Sequence, residues 1–414
     1  MDHKGEWLSD ALYPIFHFRK WNGIKFERLH GAMGYMSEIL RIYPDWEGEH
    51  LPESFVVKIP TFSMGAEKAL DAPTDNNKSG TSETATLVKI FHRTESKVYE
   101  LFQQLDSSPV PVPRVYFNRN GNGLTNDDFS VLVMEDLAGY SMVDIVESFN
   151  DKQMYALVDA IVDLHVYSFT KTGWESLGFT AEMYALVDAI VDLHVYSFTK
   201  TGWESLGFTA EEIDEVGSIA TVMVTLADRL KQRSPYHFGK LDLLMEFLGE
   251  GDWQKRYLTS CRNGEVLCAL THGDLWTANV MWENNSLKAI IDWQLAHRGS
   301  ITEDIMKILC TCISVESRKR LTTPLLTYYY NQLKNKLTDS GHAIPFTFDD
   351  VKKSYRSTLP YMAMMAVFSA AFWSNCEVLK DETNAQNEEK RIKEIFDRTK
   401  SIIEEAIENG TFSC

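Results

Sequence analysis

The stretch between Leu270 and Asp292 holds three oxygen-bearing side chains at a spacing that strongly constrains the fold. Asp274 follows the residues Thr-His-Gly, Asn279 comes five positions later, and Asp292 ends an apolar run that follows an Asn-Asn turn. Apolar residues on both sides of that turn predict a short β-hairpin. Such a hairpin brings Asn279 and Asp292 to the same end of two paired strands.

These residue types at this spacing are what phosphoryl transfer requires. A carboxylate such as Asp274 can orient an attacking hydroxyl group and accept its proton. The amide oxygen of Asn279 and the carboxylate of Asp292 are hard ligands, which Mg²⁺ prefers when it bridges nucleotide phosphates. Asp274 alone would be a turn residue and Asp292 alone a surface acid. Because all three occur together, the pattern favours the catalytic interpretation.

A second constraint is a perfect tandem copy, since residues 154–182 and 183–211 are identical. Each copy of 29 residues begins with an amphipathic helical pattern. Solenoid repeats diverge in sequence and at least three are needed to close a core. We therefore interpret the second copy as a duplicated exon or a sequence-assembly error, and either copy could form the helix that the fold needs.

The remaining patterns divide the chain into a strand-rich N-terminal third and a helical remainder. A helix is predicted at 85–105, and short strands are predicted at residues 24–29, 35–43, 55–59, 115–117 and 129–134. Beyond Ser141 the patterns are helical, except for the β-like segment from Val266 to Trp293. We predict an α+β fold with an N-terminal lobe at residues 1–135 and a helical lobe at residues 136–414.

The words THGDLWTANVMW and IIDWQ resemble the signature of choline-kinase-like and aminoglycoside-phosphotransferase-like small-molecule kinases. They are most similar to the ecdysteroid-kinase-like (CHK kinase-like) branch and its nematode group. The resemblance implies a protein-kinase-like two-lobed fold and an enzyme that uses ATP and Mg²⁺ to phosphorylate a hydroxyl group. The implied acceptor is a steroid-like alcohol or a xenobiotic. The alternatives are a choline- or ethanolamine-type acceptor and a catalytically inactive, pseudokinase-like binding protein.

The resemblance also assigns roles to single residues. Asp274 matches the catalytic base, and Asn279 and Asp292 match the metal ligands. Lys58, in Phe-Val-Val-Lys, matches the lysine that holds the α- and β-phosphates, and Glu95 matches the helix glutamate that pairs with it. Lys58 and Glu95 are also open to a plainer interpretation, as solvated residues of a strand and of a helix.

Three further segments match the family less specifically. Met134-Glu-Asp-Leu137 resembles the hinge, where backbone groups of Glu135 and Leu137 would contact adenine. Asp304 resembles an acid that braces the catalytic loop, and it equally fits an acidic residue at a helix start. Gly31-Ala-Met-Gly34 departs from the Gly-x-Gly-x-x-Gly pattern, so it is a weak candidate for the turn that covers the phosphates.

Composition restricts the partners. The chain carries 41 Lys and Arg against 59 Asp and Glu, a formal net charge of −18. Nucleic acids and anionic membranes require clustered positive charge, so neither is expected as a partner. The start lacks the apolar core of a secretory leader, and the six cysteines form no Cys-x-x-Cys pair. A cytoplasmic location is therefore expected. The oligomeric state is not predicted.

Other residues have mainly structural interpretations. His165 is expected to be a buried structural histidine. The charged run at residues 380–408 is interpreted as a solvated helix. Three tryptophans either line an acceptor pocket or pack in the core, the core being favoured: Trp276, Trp282 and Trp293.

Overall fold

The computed structural model describes residues 8–16, 21–29, 37–46, 48, 50–61, 82–121, 130–170, 213, 219–249, 253–376, 379 and 385–410. Internal contacts divide the chain into two units. The first consists of Met1–Val143, Ala278–Gln294 and Ala371–Ile392, and the second of Asp144–Thr277, Leu295–Ala370 and Lys393–Cys414. Both units are discontinuous in sequence, and the hairpin that follows the Thr-His-Gly-Asp segment belongs to the first.

The described strands are β1 (Gly23–Arg28), β2 (Ser37–Asp45), β3 (Phe55–Pro60), β4 (Val115–Arg119), β5 (Val131–Glu135), β6 (Cys268–Thr271), β7 (Val280–Glu283), β8 (Ser286–Ile290) and β9 (His297–Ser300). The described helices are α1 (Ser82–Gln103), α2 (Asp151–Thr170), α3 (Ile219–Arg233), α4 (Pro235–Phe238), α5 (Leu241–Leu248), α6 (Trp253–Arg262), α7 (Glu303–Thr311), α8 (Val315–Asp339), α9 (Phe348–Trp373) and α10 (Ala385–Asn409). The predicted α+β class, strand-rich in its N-terminal region and helical in its C-terminal region, is confirmed.

The first unit is built on an antiparallel sheet with the strand order β1-β2-β3-β5-β4. Alternation places every second side chain of β2, β3 and β5 in one apolar core. That core contains Leu40, Ile42, Phe55, Val57, Val131 and Val133. Since β3 lies between β2 and β5, a polar side chain on β3 is shielded by both neighbours.

In the second unit, β6 pairs with β9 in an antiparallel ladder, and α2 packs against α8 and β6. Helix α2 comes from the first copy of the repeat. Its N-terminus carries a capping box, because Asn150 Oδ1 accepts from the Gln153 N–H at 3.1 Å and Gln153 Oε1 accepts from the Asn150 N–H at 3.0 Å. Both residues precede residue 154, so this cap is not part of the repeated sequence. The second copy, residues 183–211, lies outside the described residues.

Helix α10 corrects one interpretation made from the sequence, that residues 380–408 form a solvated helix. Its charged residues surround a buried stripe of Ile395, Phe396, Ile402, Ile403 and Ala406. Arg398 is also buried, and its guanidinium donates to four backbone carbonyls. The acceptors are Ile145 at 3.0 Å, Val146 at 2.7 Å, Glu147 at 3.2 Å and Thr311 at 2.7 Å. From Lys393 onward, helix α10 is therefore an integral part of the packed second unit.

None of the helices in the described part of the chain is long and apolar enough to cross a membrane.

Candidate active site

Lys58 lies on β3 with only 8% of its surface exposed. Its Nζ donates to Glu95 Oε2 and to Asp292 Oδ1, both at 2.7 Å. The pair that the resemblance predicts, Lys58 with Glu95, is therefore in contact. The plainer interpretation of both residues as solvated is wrong, because Glu95 is also buried. We call Lys58, Glu95 and Asp292 the Lys58 cluster.

The protonation of this cluster follows from burial and charge. Burial opposes the charged form of Lys58, but the carboxylates of Asp292 and Glu95 outweigh it and raise the Lys58 pKa. Burial also raises the pKa of Glu95, and the Lys58 ammonium only partly reverses that rise. Two carboxylates share one ammonium, so the cluster is short of positive charge.

The hairpin of β7 and β8 holds Asn279 and Asp292 at its open end. Val280 pairs with Ile290, and the Ile291 N–H donates to the Asn279 carbonyl at 3.0 Å. Asp292 then adopts a positive φ of 66°. This left-handed conformation is uncommon for a residue other than glycine and is often found at functional sites.

These two residues fit a magnesium ion. Mg²⁺ binds through one or two carboxylate or amide oxygens and takes its other ligands from water and phosphates. Asn279 and Asp292 are such donors, and Glu95 Oε1 is a buried oxygen without a hydrogen-bond partner among the described residues. An added cation would offset the excess negative charge of the Lys58 cluster. No group of three or more His, Cys, Asp or Glu in the described ranges forms an all-protein metal site.

The predicted hinge follows β5. The Glu135 N–H donates to the Arg114 carbonyl at 2.8 Å, so this group is already used within the protein. Between the two predicted adenine contacts, Glu135 and Leu137, lies Asp136. Its carboxylate accepts from Arg41 at 2.7 Å and from the Ser54 hydroxyl at 2.5 Å. No sequence pattern indicated this Asp136 clamp, in which Arg41 of β2 and Ser54, just before β3, hold the side chain at the middle of the predicted hinge. The Gly31–Gly34 turn lies outside the described residues.

Asp274 lies in the loop that follows β6, and the start of α7 shapes this loop. Asp304 accepts from the backbone N–H groups of His272 at 2.7 Å and Gly273 at 3.0 Å. Asp304 also lies in the first turn of α7. It is therefore both an acidic residue at a helix start and an acceptor for the loop that carries Asp274. Gly273 has φ +79°, and a Cβ there would lie 2.3 Å from the Leu295 carbonyl oxygen. Glycine is therefore required at this position.

Lys307, on the same helix, contacts Asp274 directly. The distance from Lys307 Nζ to Asp274 Oδ1 is 2.9 Å. Lys307 is 5% exposed, whereas a quarter of the Asp274 side chain is exposed. We call Asp274, Asp304 and Lys307 the Asp274 cluster. Sequence reasoning missed Lys307, although its spacing of three residues from Asp304 puts both on one face of a helix.

Burial and neighbouring charges shift the pKa values of Asp304 and His297, which lie behind this loop. Burial, with the neighbouring Glu303, raises the pKa of Asp304 to about 7, and the two backbone donors counteract the rise. Burial opposes a charged His297, but the Glu303 carboxylate outweighs it and raises the His297 pKa to about 9. Glu303 also accepts from the Tyr257 hydroxyl at 2.7 Å. A buried polar network of Asp304, Glu303, His297 and Tyr257 thus lies behind the loop that carries Asp274.

Several other predicted residues have structural positions. His165 is fully buried, its Nδ1 lies 2.8 Å from the Tyr329 hydroxyl, and burial lowers its pKa to about 3. Trp276, Trp282 and Trp293 are all buried. The favoured interpretation of the tryptophans as core residues agrees with this burial.

Comparison with known proteins places the chain in a family. The model of the DUF1679 family, described as "Uncharacterized oxidoreductase dhs-27", matches residues 24–198 and 243–412. The chain belongs to this family.

Two relatives come from Caenorhabditis elegans. The uncharacterized oxidoreductase dhs-27 is 25% identical over 363 residues, which cover 84% of this chain and 40% of that protein. The chain thus spans less than half the length of this relative. The uncharacterized kinase-like protein D1044.1 is 24% identical over 404 residues, which cover 94% of each protein. Among solved structures, choline kinase from Cryptosporidium parvum is 11% identical with a TM-score of 0.46, and the match covers 93% of this chain and 92% of that one.

Proposed function

We propose that the chain is a kinase that uses ATP and Mg²⁺ to phosphorylate a hydroxyl group of a small organic molecule. The observation that carries the proposal is the buried Lys58 ammonium, which donates to Glu95 and Asp292 at 2.7 Å each. Charges buried together in this way cost free energy and are typical of functional sites. The name of the relative D1044.1, kinase-like, supports the same chemistry.

The first unit would supply the nucleotide contacts. Lys58 would bind the α- and β-phosphates. Because the chain has a net charge of −18, binding of these anionic groups requires a local positive charge, which Lys58 would supply. Asn279 and Asp292 would hold Mg²⁺, which neutralises phosphate charge when it is bound. Backbone groups of Glu135 and Leu137 would contact adenine, while the Asp136 clamp keeps the hinge in place.

Asp274 would orient the acceptor hydroxyl and accept its proton. Its side chain is partly exposed, so a hydroxyl group can reach it, and its loop is fixed by Asp304. A fixed carboxylate is effective because the geometry is established before the reaction begins. The acceptor proposed from the resemblance to the ecdysteroid-kinase-like branch is a steroid-like alcohol or a xenobiotic, with choline or ethanolamine as the alternative.

The word oxidoreductase in the family description suggests a different activity. A nicotinamide-dependent oxidoreductase of the common type needs a parallel sheet and a Gly-x-Gly-x-x-Gly turn. All pairings between the described strands are antiparallel, and the sequence has no Gly-x-Gly-x-x-Gly. We therefore propose phosphoryl transfer rather than hydride transfer for this chain.

The test is an ADP-release assay with ATP, Mg²⁺ and a panel of sterols, small alcohols, choline and ethanolamine. Wild type is compared with Asp274→Ala and with Asp339→Ala, a control that removes an exposed carboxylate of the same unit. We expect release with at least one acceptor for wild type and the control, and little for Asp274→Ala. Equal release by all three would remove Asp274 from its role. Tight ATP binding without turnover of any acceptor would support the pseudokinase alternative.

A further inference from the structure

Helix α7 contacts the loop of residues 272–274 at three points. Asp304 accepts from two backbone N–H groups of the loop, and Lys307, one helical turn later, contacts the side chain of Asp274. The backbone and the side chain of the loop are therefore held from a single helix face. Loop residues that carry reacting groups are normally positioned by such rigid elements.

The burial of Lys307 is unusual and calls for a physical reason. Lysine is almost never fully buried unless it is paired. Ile305, Met306 and Ile308 beside it are buried apolar residues, and an apolar side chain of similar length would fill the same space. The stretch from Thr271 to Trp282 contains no Lys or Arg of its own. A cation at the Asp274 carboxylate is thus supplied from helix α7.

We propose that Lys307 is a positioning residue for Asp274 in the reaction proposed above, on which this inference rests. With Oδ1 in contact with Lys307, the Asp274 carboxylate is held in one orientation, and it accepts the proton of the acceptor hydroxyl. The acceptor oxygen forms its bond to the γ-phosphorus as the bond from that phosphorus to the ADP oxygen breaks, with the electron pair leaving on ADP. Lys307 acts through Asp274 and keeps its own proton throughout.

Lys307 and Lys58 should affect different kinetic constants, Lys307 the kcat and Lys58 the KM for ATP. A residue that only orients the base changes turnover, because it acts when the proton moves, whereas loss of a ground-state contact with ATP changes KM. Lys307→Met removes the ammonium and keeps most of the volume, and Lys307→Arg keeps the charge. The matched control is Lys336→Met, which removes an ammonium from the more exposed pair with Asp163 in the same unit.

The experiment measures kcat and KM for ATP by acceptor-dependent ADP release, with thermal melting to confirm folding. We expect Lys307→Met to lower kcat about 30- to 100-fold with KM for ATP changed less than about twofold, which is the range of a lost transition-state contact. Lys307→Arg should recover most of this loss, and Lys336→Met should resemble wild type.

A double-mutant cycle tests whether Lys307 acts through Asp274. In the Asp274→Asn background, Lys307→Met should lower kcat no further, since the group it positions is gone. An additional loss of tenfold or more would overturn the proposal, because Lys307 would then act elsewhere. Wild-type kcat in a folded Lys307→Met would overturn it too, while leaving the proposed kinase activity intact. Absence of acceptor-dependent ADP release by wild type would overturn both.

Discussion

Each unit of the molecule buries one lysine against a carboxylate of the candidate site, but the two arrangements differ in charge. In the first unit, Lys58 lies between Glu95 and Asp292. In the second, Lys307 contacts Asp274, and one ammonium faces one carboxylate. Lys58 thus faces two carboxylates, whereas Lys307 contacts the carboxylate of Asp274, and Asp304 of the same cluster bonds to backbone N–H groups instead.

This difference indicates two kinds of task. A cluster with excess negative charge is suited to receive a further cation, as a magnesium–nucleotide site requires. A balanced pair attracts no ion, and it orients a carboxylate that has to exchange a proton with a neutral hydroxyl group. Substitutions that remove one side chain at a time test whether the two lysines have these different tasks.

Asp274→Asn should give the largest effect. The amide keeps the shape of the side chain but cannot accept the hydroxyl proton, so we expect kcat to fall about 10³-fold. ATP affinity should stay near wild type, because the nucleotide contacts belong to the Lys58 cluster. The melting temperature should fall, because the buried Lys307 loses its carboxylate partner. Retention of more than a tenth of the wild-type kcat would show that proton transfer does not depend on Asp274.

Gly273→Ala should destabilise the Asp274 cluster. The new Cβ would lie 2.3 Å from the Leu295 carbonyl oxygen, and the residue has φ +79°. We expect unfolding to become about 3 kcal/mol easier, since a backbone clash adds to the conformational strain. Gly341→Ala is the matched control, because Gly341 has the same φ and open space around its Cβ position, and should cost only about 1 kcal/mol. Equal losses in denaturant melts would contradict the clash.

Lys58→Met should raise KM for ATP about 10- to 100-fold, the range for loss of a hydrogen bond to a charged group. It also leaves the buried Glu95 and the half-buried Asp292 without their ammonium, so binding of Mg²⁺ alone should persist. The control is Lys288→Met on β8, which removes the partly exposed ion-pair partner of Glu283 and should leave KM unchanged. A fall in kcat with an unchanged KM for ATP would show that Lys58 acts on turnover, as expected for Lys307, and would contradict the two different tasks.

The smallest expected effect is on the pH dependence of stability. The pKa of His297 is raised to about 9, from an ordinary value near 6.5, mainly because Glu303 outweighs the cost of burial. The folded state therefore binds this proton more tightly. The resulting stability is fully present below pH 6.5 and is lost as the pH rises through 9.

Melting temperatures between pH 6 and 10 measure this contribution. We expect wild type to lose about 3 to 6 °C more than His297→Gln over that range. His165→Gln is the control, because burial lowers the His165 pKa to about 3 and the residue is neutral throughout. It should keep the wild-type slope. Parallel curves for wild type and His297→Gln would show that His297 is not charged in the folded protein.

The Lys58 cluster could be predicted from the sequence because each member lies in a segment with its own pattern. Lys58 interrupts an apolar strand, Glu95 lies in an amphipathic helix, and Asp292 ends a hairpin. The contacts among them could be predicted only from the resemblance to a kinase family. Glu95 lies 37 positions from Lys58 and Asp292 lies 234 positions from it, and no local pattern relates residues so far apart.

The surroundings of Asp274 were harder to predict because tertiary contacts determine them. Strand β9 reads His-Arg-Gly-Ser, which has little strand propensity, and it exists because β6 pairs with it. Lys307 looks like an ordinary helix lysine until the helix is seen to be buried. The first copy of the repeat forms most of α2, whose cap at Asn150 lies just outside the repeat, and the identical sequences of the two copies could not show this.

Arg398 links two parts of the second unit that are far apart in sequence. Its four bonds to carbonyls join α10 to residues 145–147 and to the end of α7. Loss of α10 would remove the donor from all four carbonyls, so opening of α10 should loosen both residues 145–147 and the end of α7. The three segments should then exchange their amide hydrogens as one cooperative unit. A chain shortened before residue 393 would thus lose protection well beyond the residues removed.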